Sequence, residues 1–136
     1  MVSKLSKLDE VNVLASEAGW AWPEALRNIF RPRGVNLLVA RSPGEFVNII
    51  EQRRIHTTIV DMDSEGGGGL TTVRIIRMDY PLLPCILLTS EAGQELLGEA
   101  LQLGVFGVVD KPVDMKIMLE LLNRLFVKMY NSDIFK

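Results

Sequence analysis

The stretch TTIVDMDSEGGGGL, residues 57–70, decides the architecture that we predict for this chain. Its short β-branched run favours a strand that ends near Asp61, and a second aspartate, Asp63, and four glycines follow. An aspartate at the end of a buried strand can act as a nucleophile and carry a covalent phosphoryl group. Glycines 66–69 lack the Gly-Lys-Ser/Thr sequence of a phosphate-binding P-loop, so we interpret them as a mobile loop. The stretch therefore predicts a strand, a candidate nucleophile and a flexible connection.

Outward from this stretch, apolar runs alternate with segments of helical spacing. The other four strands are predicted at residues 11–15, 35–40, 84–88 and 106–109. Pro23, the Ser42-Pro43 pair and Asp114 lie where helices are expected to begin, and Gly104 lies where one is expected to end. Five strands alternating with five helices predict an α/β fold, a doubly wound parallel sheet in a (βα)5 arrangement. The predicted domain covers residues 11–130, between an N-terminal extension at 1–10 and a C-terminal tail at 131–136.

Composition narrows the classes of function. The chain has 136 residues, enough for one domain, and its formal net charge of −2 gives no basic surface for nucleic acid. Its one cysteine, Cys85, rules out an internal disulfide and lies in an apolar run, so we expect a small buried hydrophobe there. No window approaches the roughly 18 apolar residues of a membrane span, and no signal peptide pattern is present. We expect a cytoplasmic protein that contacts neither membrane nor nucleic acid.

Ionisable and hydroxyl side chains follow four of the five predicted strands: Glu17, Asp61, Thr89 and Lys111. Because the carboxyl ends of parallel strands share one edge of a sheet, we expect these groups to lie close together. Carboxylate oxygens are the ligands that Mg²⁺ prefers. A metal on one side and a lysine on the other can stabilise the charge of a transferring phosphoryl group. The set therefore predicts phosphoryl-transfer chemistry.

Three stretches, TTIVD at Asp61, ILLTS at Thr89 and GVFGVVDKPVD at Lys111, resemble the receiver domains of two-component response regulators. The resemblance covers residues 11–130 and implies the flavodoxin-like fold of the chemotaxis regulator. It implies that Asp61 accepts a phosphoryl group from a histidine kinase, a phosphotransfer protein or a small phosphodonor. It also implies that Glu17, Asp61 and the backbone carbonyl of Asp63 bind Mg²⁺, that Thr89 contacts the phosphoryl group, and that Lys111 pairs with it.

The chain departs from the family pattern at two positions. Ser16 stands where the family usually has the first of two adjacent acids, and Val108 stands where it commonly has an aromatic residue. We hypothesise that the side chain of Asp63 offsets the acid that is absent at Ser16. The resemblance further implies a cis peptide bond between Lys111 and Pro112, since cis bonds are rare except before proline.

Two alternatives stay open. A degenerate receiver that is never phosphorylated and acts only as an interaction module would fit the changes at Ser16 and Val108. A phosphohydrolase of the haloacid-dehalogenase type would use Asp61 as nucleophile and Asp63 as acid and base. That family begins its fold with the D-x-D strand, however, whereas two predicted strands precede Asp61 here. On the favoured hypothesis the chain is not an enzyme and assists only its own phosphorylation and dephosphorylation.

The last predicted helix, residues 114–130, carries a wide apolar stripe. Most of that stripe is expected to cover the sheet. The resemblance implies that helices four and five also offer a surface for a homodimer or for another partner. Output is therefore expected by protein–protein contact.

Overall fold

The computed structural model describes residues 10–16, 22–63, 68–90 and 93–136, which form five strands and five α-helices. The elements are β1 (Val11–Ser16), α1 (Trp22–Phe30), β2 (Val35–Ala40), α2 (Pro43–Gln52), β3 (Thr57–Asp61), α3 (Gly68–Asp79), β4 (Cys85–Thr89), α4 (Gln94–Leu103), β5 (Gly107–Asp110) and α5 (Met115–Tyr130). A single 3-10 turn, Arg31–Arg33, separates α1 from β2. The predicted alternation is confirmed. None of the described helices is long and apolar enough to cross a membrane.

The strands form one parallel sheet in the order β2-β1-β3-β4-β5. This order is that of the flavodoxin-like doubly wound fold, and it confirms the predicted fold class. Because all pairings are parallel, the strands end together at one edge, which we call the carboxyl edge and define by Ser16, Ala40, Asp61, Thr89 and Asp110. The opposite edge, where the strands begin, is the amino edge.

Both faces of the sheet are covered, as the continuous apolar runs predict. On one face, Ile59 and Ile86 belong to a core with Phe126 of α5. On the other face, Val60 and Leu87 belong to a second core that includes helix residues. Alternate residues of β3 and β4 thus serve opposite faces, and each fully buried aliphatic side chain contributes about 1.5–3 kcal/mol. Every residue of β1, β3 and β4 is buried, so chemistry is left to the strand ends.

Local signals set the helix ends. The Ser42 hydroxyl accepts a hydrogen bond from the backbone N–H of Glu45 at 3.1 Å, with Pro43 in the first turn. Gly104 ends α4 with a φ of 74°, a left-handed conformation that glycine adopts without steric cost. Asp114 caps α5 by accepting a hydrogen bond from the N–H of Lys116 at 2.9 Å. The caps predicted at Ser42 and Gly104 are confirmed, and Asp114, predicted as the first residue of the last helix, is its N-cap instead.

Helix α3 begins at Gly68, two residues before the predicted start, so the interpretation of all four glycines as loop is wrong. A Cβ atom on Gly69 would lie 2.6 Å from the carbonyl oxygen of Asp61 and 2.8 Å from the Cα of Met62. These separations are shorter than van der Waals contact allows. The first turn of α3 therefore packs directly on the backbone of Asp61, and only glycine permits that approach. Residues 64–67 lie outside the described part of the chain.

The segment after α5 folds back on the domain. Asn131 adopts a left-handed conformation with a φ of 51°, and the N–H of Ser132 donates to the carbonyl of Phe126. This turn brings Phe135 back to the core, where it is only 2% exposed. Its ring centroid lies 4.9 Å from that of Phe126 and 5.4 Å from that of Phe30. The predicted C-terminal tail thus contributes an aromatic side chain to the core at the amino edge.

A neutral polar cluster lies at the amino edge, around His56. The Nδ1 atom of His56 accepts a hydrogen bond from the N–H of Asn12 at 3.1 Å, and the hydroxyl of Tyr130 donates to the His56 carbonyl. The rings of Phe126 and Tyr130 pack on the imidazole. Burial, followed by the charge of Arg54, lowers the pKa of His56 below its ordinary value. The histidine is structural, and it joins β1, β3 and α5.

Cys85 is fully buried at the start of β4. Burial raises the pKa of its thiol to about 11, so the thiolate is not populated at neutral pH. The predicted role of a small buried hydrophobe is confirmed.

Candidate functional site

Three of the predicted site residues meet at the carboxyl edge. Asp61 is the last residue of β3 and Thr89 is the last residue of β4. Asp61 is only 4% exposed and Thr89 only 2%. Lys111 follows β5, and its backbone N–H donates to the carbonyl of Thr89 at 2.9 Å. The strand register therefore brings together three groups that are far apart in the sequence.

An ion pair joins Lys111 to Asp61. The Nζ atom of Lys111 lies 2.7 Å from both carboxylate oxygens of Asp61. A carboxylate this deeply buried needs a cationic partner, because an unpaired charge in the interior costs several kcal/mol. The ammonium group is thereby held where it can stabilise negative charge added to Asp61. The peptide bond that follows, between Lys111 and Pro112, is cis, as the resemblance to receiver domains implied.

Ser16 aligns the backbone of Asp61. Its buried Oγ atom accepts a hydrogen bond from the N–H of Asp61 at 3.0 Å. The Oδ1 atom of Asp61 in turn accepts a hydrogen bond from the N–H of Asp63 at 2.8 Å. Sequence reasoning treated Ser16 only as a missing acid and overlooked this role. The signal available was that a serine at a strand end offers a short side-chain acceptor to the neighbouring strand.

The side chain of Asp63 is directed toward the end of β4. Its Oδ2 atom accepts a hydrogen bond from the N–H of Ser90 at 2.7 Å and lies 3.3 Å from Nζ of Lys111. Its Oδ1 atom accepts a hydrogen bond from the hydroxyl of Thr89 at 3.3 Å. Burial raises the pKa of this carboxyl group, but the hydrogen bonds from Ser90, and then Lys111, outweigh burial and hold the pKa below its ordinary value. Asp63 is therefore charged at neutral pH.

Besides the role of Ser16, the contributions of two further residues to this site were missed in the sequence. Ser90 donates its backbone N–H to Asp63, and its place directly after Thr89 at a strand end was the available signal. Gly69 packs against the backbone of Asp61, and the run of four glycines was the only sign in the sequence of this close approach. Backbone contacts of this kind depend on tertiary packing and leave little trace in residue type.

Three other positions bear on the family pattern: Glu17, Val108 and Phe106. Glu17, a predicted metal ligand, lies outside the described residues. Val108 is partly buried and packs against the same core as Val60, with no ring to change position. Phe106 packs against the core on the opposite face of the sheet. Within the described ranges, no aromatic residue therefore takes the place that the family pattern reserves at position 108.

The donor groups at the carboxyl edge are of the kind that magnesium binds. Asp61 and Asp63 bring carboxylate oxygens to the end of β3, and Glu17 directly follows Ser16 in the sequence. Mg²⁺ takes such oxygens in small number and keeps several waters. The described residues contain no group of three acidic, histidine or cysteine side chains placed to hold a metal. A complete site would therefore combine these oxygens with Glu17 or with water.

Comparisons with known proteins agree with this fold. Residues 21–123 match the family model of the response regulator receiver domain. The chain is 27% identical over 107 residues to a putative NtrX-like response regulator of Rickettsia typhi, covering 74% of this chain and 22% of that protein. It is also 27% identical over 104 residues to the chemotaxis protein CheY of Pseudomonas aeruginosa, covering 74% of this chain and 84% of that protein. The chain thus spans about a fifth of the length of its NtrX-like relative.

A solved receiver domain (CheY-like) from Methanospirillum hungatei has the same fold, with a TM-score of 0.80 and 19% identity, over 90% of this chain and 98% of that one. The match to the family model covers well over half of the residues and includes Asp61, Thr89 and Lys111. It favours a signalling domain over the phosphohydrolase alternative. The chain belongs to the receiver domains of two-component response regulators.

Proposed function

We propose that this receiver domain accepts a phosphoryl group on Asp61 in a Mg²⁺-dependent reaction and passes the signal on by protein–protein contact. The observation that carries the proposal is the contact of Lys111 with both oxygens of a buried Asp61, each at 2.7 Å. A lysine so placed can balance the charge that phosphorylation adds. The hydroxyl of Thr89 ends the adjacent strand and supplies a second donor at the same edge.

The proposed donor is a phosphohistidine of a histidine kinase or phosphotransfer protein. An oxygen of Asp61 attacks the phosphorus, the O–P bond forms, and the N–P bond breaks with its electron pair left on the imidazole nitrogen. Lys111 and Thr89 stabilise the charge on the phosphoryl oxygens during this step. Ser16 keeps the acceptor in position through its hydrogen bond to the N–H of Asp61.

In this proposal, Glu17, Asp61 and the backbone carbonyl of Asp63 hold Mg²⁺. The ion, when bound, neutralises negative charge on the acceptor and on the incoming group. The oxygen-rich donor set described above supports this assignment. We propose that the reaction takes place in the cytoplasm, where the chain would meet the phosphohistidine of the predicted kinase partner.

The surface proposed for output is formed by α4 and α5. Leu97 and Leu101 lie one turn apart on α4 and are 39% and 79% exposed, and Ile117 on α5 is 54% exposed. The two helices pack on opposite faces of the edge strand β5, and exposed apolar side chains there are typical of a surface that another protein covers. A second copy of the chain or a separate partner would bind there.

Intact-protein mass spectrometry after incubation with Mg²⁺ and phosphoramidate, whose N–P bond mimics phosphohistidine, tests the proposal. We expect a gain of about 80 daltons that Asp61→Asn abolishes. No gain in the native chain, with phosphoramidate or with a phosphorylated kinase, would favour the degenerate receiver. Sedimentation of the phosphorylated sample tests the surface, because a mass that stays monomeric at high concentration argues against a homodimer.

A further inference from the structure

The carboxylate of Asp63 holds three hydrogen-bond donors that come from two other strands. These donors are the N–H of Ser90 at 2.7 Å, the hydroxyl of Thr89 at 3.3 Å and the ammonium of Lys111 at 3.3 Å. The side chain of Asp63 is 31% exposed, so it is not fixed in this place by burial. It is fixed by an anion-binding arrangement of converging donors.

The same donors surround the acceptor. Lys111 lies 2.7 Å from both oxygens of Asp61 while it also contacts Asp63. A phosphoryl group on Asp61 would bring three oxygens and about two negative charges to this place. It would need the ammonium and hydroxyl donors that Asp63 now engages. Two anions of one chain would then compete for one set of donors.

We propose that Asp63 is a positioning residue that sets the rate of phosphorylation. Its carboxylate occupies the donors of the phosphoryl group in the unmodified domain and has to leave them before Asp61 can be modified. This inference rests on the proposed function and goes beyond it, because it assigns Asp63 a restraining role. The hypothesis that the Asp63 side chain replaces an absent metal ligand predicts the opposite effect: removing the side chain would then slow phosphorylation instead of accelerating it.

The reaction of phosphoramidate with the full chain at saturating Mg²⁺ tests the inference. In this reaction an oxygen of Asp61 attacks the phosphorus, the N–P bond breaks, and the nitrogen leaves as ammonia with its electron pair and a proton from solvent. Asp63→Ala removes the competing anion, and we expect phosphorylation about tenfold faster than in the native chain, the effect of losing one charge-assisted hydrogen bond. Asp63→Asn keeps an acceptor without the charge and should give an intermediate rate.

Asp110→Ala is the matched control. It removes one carboxylate from the exposed end of β5, at the same edge. We expect its phosphorylation rate to stay within about twofold of native, since exposed charges are strongly screened. An equal acceleration in Asp110→Ala would show that net charge alone is responsible, and it would overturn the inference.

Two further readouts separate positioning from metal binding. The amide proton of Ser90, followed by NMR, should shift upfield in Asp63→Ala even without phosphodonor, because its 2.7 Å hydrogen bond is lost. Mg²⁺ affinity should stay near native in the same variant. A rate that falls together with Mg²⁺ affinity would overturn the inference in favour of a ligand role.

The failures are distinguishable. If native chain and variants all gain the phosphoryl group at one rate, the restraining role of Asp63 is wrong while the proposed function stands. If no variant gains it, the proposed function itself fails and the inference fails with it.

Discussion

At the carboxyl edge of the sheet, Lys111 neutralises the buried Asp61 across 2.7 Å, whereas at the amino edge a neutral His56 accepts a hydrogen bond from the backbone of Asn12. Both arrangements satisfy buried polar groups and join separate segments of the chain. One does so with charges, the other with an uncharged ring. The difference lies in what each arrangement leaves accessible.

At the carboxyl edge the ion pair has an open side, since the Lys111 side chain is 21% exposed. Its charges can be rearranged around a new anion. At the amino edge the rings of Phe126 and Tyr130 pack on His56, which is 1% exposed. One edge is thus suited to chemistry and the other to stability. Substitutions at each edge can test this contrast.

The largest effect is expected at the amino edge. Phe135→Ala removes a ring that packs on Phe30 and Phe126, and we expect the free energy of unfolding to fall by about 3–5 kcal/mol. Urea unfolding followed by circular dichroism measures the loss. Leu82→Ala is the control, because Leu82 is 87% exposed and its truncation should cost less than about 0.5 kcal/mol. Equal losses in the two variants would mean that the C-terminal segment does not stabilise the core.

A smaller effect is expected behind the acceptor. Gly69→Ala places a methyl group 2.6 Å from the carbonyl of Asp61, and we expect about 1–3 kcal/mol of destabilisation as the backbone shifts. Gly98→Ala is the matched control within α4, where a Cβ atom meets no other atom within 4 Å. There alanine should stabilise the chain by about 0.5–1 kcal/mol. Urea unfolding measures both effects. Midpoints that shift in the same direction from the native value in both variants would contradict the proposed packing of α3 on Asp61.

The smallest effect is a dependence of stability on pH that His56 causes. Its folded-state pKa lies below the unfolded value near 6.5, so below that pH the unfolded chain binds the extra proton. The stabilisation is complete above pH 6.5 and is lost as the pH falls toward the folded-state pKa. The slope is at most about 1.4 kcal/mol per pH unit. The nearby charges of Arg54 and Glu10 act in opposite directions on this equilibrium.

Urea unfolding between about pH 7.5 and about pH 5.5 measures this slope, above the range where carboxyl groups titrate. His56→Gln can still accept the hydrogen bond from Asn12 but does not titrate. We expect its free energy of unfolding to be lower at every pH and to depend less on pH across this range. An equally steep slope in His56→Gln would assign the dependence to another group.

Sequence reasoning reached the fold and the main site for physical reasons. Apolar runs that alternate with helical segments leave few topologies open, and polar groups directly after strands must share one edge. Asp61, Thr89 and Lys111 could therefore be placed together from the sequence. Their chemical roles stay proposals, since proximity alone does not show that a phosphoryl group is accepted.

Other features could not be predicted, because they depend on distances between elements that are remote in the sequence. The direction of the Asp63 carboxylate depends on how close the end of β4 lies. The need for glycine at position 69 depends on how α3 meets the acceptor backbone. The burial of Phe135 depends on a turn at Asn131 that residue type only weakly signals. Residue pattern fixes which edge a group reaches, and packing fixes which atoms it contacts there.

The return of the chain after α5 has a practical consequence for labelling. Tyr130 contacts the carbonyl of His56 at the amino edge, and both Tyr130 and Phe135 pack on Phe126, so the exposed Lys136 lies near that edge and away from Asp61. A fluorophore attached after Lys136 would report on folding of the amino edge and would not collide with a phosphodonor protein. A label meant to sense the acceptor belongs instead on the exposed side chain of Asp110, where the strands end.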